Sequence, residues 1–529
     1  MYDIVFRRAT VVDGTGAAKF VADVGIVDGL FAEIAPRLDG AAARTIDADG
    51  LVLAPGFIDL HCHSDAYHLE APTGEIKIRQ GVTLEVVGNC GDSMAPLVPE
   101  RAQMSVDHCL GGAGRFNRPI DWLRYDEYVT LVDAAQPVVN VSGLVGHGTL
   151  RVAAMGFANR PPTAAEMDTM CGLLGDALSA GAAGLSTGLY YAPGLFAATA
   201  EVVTLAKIVA RQGGYYATHM RNEAEGLLEA IDETLTIGRA AGVPVHISHL
   251  KAAGSRNWPK GELAVAQIEK ARSEGVDATC DVYPYHFSST TLQAVIPPWA
   301  LEGGADALVK RLHDPVSRAK IIAQIKDGVP GWENIYHNAG WEKIRISSLN
   351  SAARKPLQGQ SIAAAAEAAG VDPFEFAVDL LAAERGAVNI IAGSMHEDNV
   401  ARFLGLPYAM IGSDGAPNRG WPHPRVYGTF PRVIRRFVRE LKAFSLEEAV
   451  RKMTSASAAR LGFRRRGRIA TGCVADAVLF DPERFSDTAT FEVPCRYPVG
   501  LEAVTVAGTL VFSGNALTGE RPGRYRRPE

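Results

Sequence analysis

Eight short apolar or β-branched runs, most of them followed by a helical pattern, constrain this chain more than any other feature. They are GFIDLHCHS (56–64), TLEVVGN (83–89), VVNVSGLVG (138–146), AGLSTGL (183–189), YYATHMR (215–221), VPVHISHLK (243–251), ATCDVYPY (278–285) and AMIGSDG (409–415). Between them lie helix-period segments such as AAEMDTMCGLLGDALSAG and EAEGLLEAIDETLTIGRAAG. Eight strand–helix units in succession predict an α/β fold of the TIM (β/α)8 barrel type, with an open doubly wound sheet as the competing arrangement.

The 529 residues exceed what a barrel needs, and the surplus is placed in readable positions. Residues 1–56 are short strands punctuated by Gly and Asp, and the segment from 464 to 529 reads the same way. Both ends are expected to build one small β-sandwich around a barrel over 57–463. Residues 286–408 are too long for an ordinary βα loop. They are read as the seventh barrel helix, beginning around WALEGGADALVKRL, plus an insertion over about 286–400 that caps the barrel mouth. Arg464, Arg465, Arg466, Arg468 and the tail RYRRPE are expected to be solvated edges.

Donor-type residues recur where barrel active sites are built, at the C-terminal ends of the strands. His61 and His63 close strand one. Two residues apart, they face the same way, while Cys62 faces the outer helices. Cys90 ends strand two, His219 strand five, His249 strand six and Asp414 strand eight. Four imidazoles, a thiol and a carboxylate on one rim suit a one- or two-metal hydrolytic site, with zinc favoured. Placing them there as ordinary core residues would require five strand ends to coincide by accident. His246, three before His249, is assigned by parity to the opposite face. His147 and His286 lie near strand ends and are open candidates for the pocket lining.

Composition narrows the partners. A formal net charge of −6 argues against a general nucleic-acid binder. No apolar run reaches the roughly 18 to 20 residues of a membrane span, and the N-terminus lacks the marks of a signal peptide. The expectation is a cytoplasmic enzyme with a small-molecule substrate, no membrane partner, and an oligomeric state left open. The seven cysteines imply no disulfide framework.

The motifs resemble the D-aminoacylase (N-acyl-D-amino-acid deacylase) family of the amidohydrolase superfamily. GLVLAPGFIDLHCHSD and the closing GRIATGCVADAVLFDP carry the superfamily likeness. GVTLEVVGNCG, LSTGLYYAPG, ATHMRNE, HISHLKAAG, DVYPYHFSSTTL, MIGSDG and HPRVYGTFPRVI carry the family likeness. The resemblance implies zinc held tightly by Cys90, His219 and His249, and a second, weaker position using His61 and His63 with Cys90 shared. It implies Asp414 as catalytic base at the metal site, and Tyr191, Lys251, Tyr283, Ser289 and Arg425 as substrate-binding residues. Strand four, AGLSTGL, has no Lys to be carboxylated, which counts against hydantoinase-like enzymes.

The chemistry follows from the residues. An amide is a poor electrophile, and zinc both polarises its carbonyl and lowers the pKa of bound water to about 7. Asp414 would take the water proton and deliver it to the leaving amine. An amino-acid product carries an α-carboxylate, for which Lys251, two residues after His249, and Arg425 are fixed cations. Tyr283 and Ser289, or its neighbour Ser288, add neutral donors, and Tyr191 a donor to the oxyanion. Arg221 and Glu223 are read as a structural pair near the rim. The expected reaction is hydrolysis of N-acyl-D-amino acids to a D-amino acid and a carboxylate, the D preference resting on the resemblance alone. Opening of cyclic amides or cleavage of D-aminoacyl amides is the alternative, and a non-catalytic metal-binding barrel the outsider. The side-chain and acyl preferences stay open.

Overall fold

A computed structural model describes residues 1–111, 116–417 and 420–529. Eight parallel strands ring the centre: Phe57–Asp59, Val82–Val87, a third strand split into Asn140–Gly143 and Val145–Gly146, then Gly184–Gly188, Tyr215–His219, Val245–Ile247, Ala278–Val282 and Ala409–Ile411. They form two arcs that meet at the split third strand and at the junction of strands eight and one. At the latter, Asp414 N donates to His61 O (2.7 Å) and His63 N to Gly415 O (2.9 Å). These bonds lie beyond both strands, within the segments that carry the site.

The observed strands are shorter than the sequence runs because the last residues of each run leave the ladder to form the rim. In strand six only Val245–Ile247 is extended, and His249 has φ +38°. The helix after strand three, Ala164–Ser179, begins at a capping box: Thr163 Oγ1 accepts from Glu166 N (3.3 Å) and Glu166 Oε2 from Thr163 N (2.7 Å). The helix after strand five starts only at Leu227, although the helical pattern begins at Glu223. Asn222 Oδ1 accepts from Ala224 N and Gly226 N (both 2.9 Å) and folds this stretch into a rim loop instead.

The two chain ends share one nine-stranded sheet, joined where Val52–Pro55 pairs antiparallel with Ala477–Phe480. It closes on its own apolar core, with Phe6, Val24, Phe31 and Leu479 buried in it. Two expectations need correction. Arg466 is buried against Asp476. The tail is tucked in: Tyr525 bridges to Val141 of the barrel and its hydroxyl meets that of Tyr125 at 2.9 Å.

The insertion has a core of its own, made by Ser288–Thr291, Ile344–Leu349 and Val388–Ala392 in one antiparallel sheet with helices Gly304–His313, Pro315–Asp327 and Pro373–Ala383. The segment read as the seventh barrel helix therefore belongs to the cap. The helix that packs on strands seven and eight is Glu397–Gly405, after the insertion. Periodicity cannot tell these apart, because both cores demand the same apolar stripe. Among the described residues, no helix is long and apolar enough to cross a membrane.

Candidate metal centre

The strand ends bring the expected donors to one point. Cys90 Sγ lies 3.3 Å from His61 Nε2 and 3.5 Å from His249 Nε2, and His61 Nε2 lies 3.5 Å from Asp414 Oδ1. One donor atom each from His61, Cys90, His249 and Asp414 falls within 4.8 Å of all the others. The His219 ring lies 4.4 Å from that of His249, centroid to centroid, and His63 Nε2 is 3.1 Å from Asp414 Oδ1.

The set fits a zinc ion. Both ring nitrogens of His219 are buried without a hydrogen-bond partner, a costly state for a polar group unless something else satisfies it. A thiol among imidazoles is a zinc-type donor set. Burial opposes ionisation of Cys90, yet His61 and His249 outweigh it and hold the thiol well below its ordinary range. Three of these residues also sit at positive φ, Cys90 (+53°), His249 (+38°) and Asp414 (+49°), where a side chain is strained. Such strain at three converging donors marks a built site. Opposite them, strand four packs too tightly for any side chain at its rim: a Cβ on Gly188 would stand 2.1 Å from Cys90 O.

Buried carboxylates orient the imidazoles. Asp281 Oδ2 meets His61 Nδ1 (3.1 Å) and His246 Nε2 (2.9 Å), while Asp281 Oδ1 accepts from His249 N (2.9 Å). This corrects the parity argument for His246, which lies inside with the others. Strand alternation stops at Ile247, so it cannot be carried to His249. Nor does it carry on to Lys251, which nevertheless reaches the same mouth by way of the loop.

The rim pairing is also different from expectation. Arg221 pairs with Glu233 (2.9 Å), and Glu223 turns inward to Lys251 Nζ (2.6 Å) and His249 Nδ1 (3.0 Å). Sequence reasoning missed Glu223 and Asp281. The signal for Asp281 was available, an acid on strand seven at rim height, but nothing local to Glu223 announced it.

A cavity of about 1280 Å³ opens above these donors. Tyr191, Lys251, Tyr283, Ser289 and Arg425 all line it, whereas His147 and His286 do not. His147 is spent on Glu201 at 2.8 Å. Arg425 Nη1 stands 2.8 Å from Asp414 Oδ2, its guanidinium lies 4.7 Å from the centre of the Tyr283 ring, and Nη2 donates to Ser289 O (3.2 Å). Burial would raise Asp414, but Arg425 and His249 hold it well below the usual carboxylate range. It is thus ionised at neutral pH. Tyr191 OH meets Thr290 Oγ1 at 2.8 Å, a contact between barrel and insertion. The insertion therefore supplies one wall of the cavity.

Comparison with known proteins gives consistent matches. The model of the Amidohydrolase family matches residues 44–512. An N-acyl-D-glutamate deacylase of Alcaligenes xylosoxydans xylosoxydans is 38% identical, over 99% of this chain and 96% of its own length. A D-aminoacylase of the same organism is 35% identical, over 99% and 97%. The crystal structure of an N-acyl-D-glutamate deacylase from Bordetella bronchiseptica, complexed with zinc and a phosphonate mimic of the tetrahedral intermediate, superposes with a TM-score of 0.84 at 35% identity, covering 99% of both chains.

Proposed function

Because the chain belongs to the amidohydrolase family, and within it to the D-aminoacylase (N-acyl-D-amino-acid deacylase) branch, we propose that it is a zinc-dependent hydrolase of N-acyl-D-amino acids. The observation that carries the reading is the convergence of His61, Cys90 and His249 on one point with an ionised Asp414, the His219 ring 4.4 Å from that of His249, under a cavity walled by Lys251 and Arg425. Cys90, His219 and His249 would hold the tight ion, and His61 and His63, with Cys90 shared, a weaker second one. Bound there, zinc supplies Lewis acidity toward the amide carbonyl and the attacking water.

The remaining work falls to the side chains. Asp414 accepts the proton of the attacking water and returns it to the departing nitrogen. Tyr191, once released from Thr290, donates to the carbonyl oxygen as it gains charge. Lys251, Arg425, Tyr283 and Ser289 take the α-carboxylate. Arg425 already spans Asp414 and Ser289, so a bound carboxylate replaces part of its present pairing and brings substrate next to the base.

The test is turnover by zinc-loaded protein of matched N-acetyl-D- and N-acetyl-L-amino acids. The expected result is release of D-amino acids. Turnover of the L series alone overturns the assignment.

A further inference from the structure

The insertion contributes more than a wall. Glu333 lies between the cap helices Pro315–Asp327 and Ile335–Ala339, is 8% exposed, and reaches the barrel rim. Its Oε2 accepts the backbone N–H of Glu223, and its Oε1 accepts from Asn338 Nδ2 at 3.0 Å. Asn338 in turn packs on the strand-six loop so closely that a Cβ on Gly254 would stand 2.7 Å from its Oδ1. The rim loop 222–226 is also tied by Asn222 Oδ1, by Ala253 N, which donates to Glu223 O (2.8 Å), and by Lys260 Nζ, which donates to Glu225 O (2.6 Å); the Glu223 N–H is the group held from the cap.

Glu223 is where these contacts matter. Its carboxylate touches Lys251 Nζ and His249 Nδ1, and Oε2 stands 3.6 Å from His219 Nε2. One carboxylate thereby orients the Lys251 ammonium and the His249 imidazole, and stands beside His219. Its own orientation depends on a backbone whose N–H is held from the cap. We propose that Glu333 is a positioning residue: it clamps the Glu223 backbone so that Glu223 holds Lys251 and His249 in place, and the inserted cap thereby completes the metal and substrate site.

The contact with Glu223 N asks only for an acceptor oxygen at that reach. Burial and the Glu223 carboxylate push Glu333 above the usual carboxyl range. A carboxamide preserves that acceptor. A methyl group or a shorter acid does not preserve its reach.

The proposal rests on the deacylase reading for its kinetic arm alone; zinc affinity is measured without substrate. Full-length Glu333→Ala, Glu333→Asp and Glu333→Gln are compared with the unaltered protein by competition with a chromophoric zinc chelator and by steady-state kinetics. Glu333→Ala and Glu333→Asp are expected to weaken zinc binding by up to about tenfold, the lower end of what loss of an imidazole's outer partner costs, because they misplace Glu223, the partner of His249. KM for the N-acyl-D-amino acid should rise more than kcat falls. Glu333→Gln should restore both. Glu333→Asp, which keeps a carboxyl in the cap, carries the test where alanine impairs folding. Unchanged zinc affinity in Glu333→Ala and Glu333→Asp overturns the proposal, as does a Glu333→Gln protein no better than Glu333→Ala. Unaltered protein that turns over no N-acyl-D-amino acid defeats the deacylase reading, while the zinc titration still decides the role of Glu333.

Discussion

Two buried clusters of ionisable side chains lie at neighbouring heights of strands one, two and eight, and they differ in what sits at their centre. In the lower one the Lys77 ammonium sits between Asp59 and Glu85 (2.9 Å to Glu85), His68 reaches Glu85 at 3.2 Å, and Ser64 Oγ donates to it at 2.8 Å. The protein brings its own cation. In the upper one, donor atoms of His61, Cys90, His249 and Asp414 lie within 4.8 Å of one another, and both nitrogens of the neighbouring His219 are buried without a hydrogen-bond partner. Similar donor types thus give a structural lock in one place and a ligand site in the other. The lower cluster holds an ammonium between its carboxylates, whereas the upper pairs Asp414 with Arg425 and leaves the His219 ring unpartnered. The two are connected: Asp59 accepts from Ser413 N (2.8 Å) and Ser413 Oγ, which fixes the residue before Asp414.

The contrast breaks most sharply at Asp414. Asp414→Asn should lower kcat by about 10²- to 10⁴-fold with little change in KM, and should lower the melting temperature less than Lys77→Met does, because the amide oxygen still accepts from Arg425. A comparable fall in Tm would show the upper cluster to be structural as well. Lys77→Met should do the reverse. It strands two buried carboxylates, so chemical denaturation should show a loss of about 3–5 kcal/mol of stability. The same cluster gives a pH signature. Burial would raise Glu85, but Lys77 and His68 outweigh it and hold it far below the glutamate range. Its stabilising contribution is therefore complete above the unfolded pKa of about 4.3 and is lost as pH falls through the folded value. Lys77→Met should flatten the acid side of the stability profile; an unchanged slope would count against the charge assignment.

The boundary between the clusters is sharpened by Arg425, which serves substrate and base together. Arg425→Ala should raise KM about 10- to 100-fold, the loss of one charge-assisted contact, and should raise the Asp414 pKa so that the acid limb of kcat moves upward. An unmoved limb would separate Arg425 from the base. The smallest effect is expected at the opposite end of the barrel, where Tyr525→Phe should cost about 1 kcal/mol for the Tyr125 hydrogen bond and leave kinetics alone. Any kinetic change there would mean that the tail speaks to the rim.

The strand–helix rhythm was legible from periodicity, and so was the placing of His61, Cys90, His219, His249 and Asp414 at strand ends, where barrel side chains converge. Arg221 and Glu223 show where reading failed. Sequence adjacency suggested that they pair, but the loop tied by Asn222 sends one to Glu233 and the other to Lys251. His246 failed for a related reason, since alternation holds only while the strand lasts. Glu333 gave no signal, standing 110 residues from its partner Glu223.

The chain's own order of residues determined the architecture and the kinds of atoms at the rim, because hydrophobic period and residue type are local properties. Tertiary structure alone decided which charges meet, which donors stay unpaired, and that a cap residue reaches the Glu223 backbone. Those outcomes depend on distances between segments far apart in the chain, and on left-handed turns at Cys90, His249 and Asp414 that only the surrounding packing can hold.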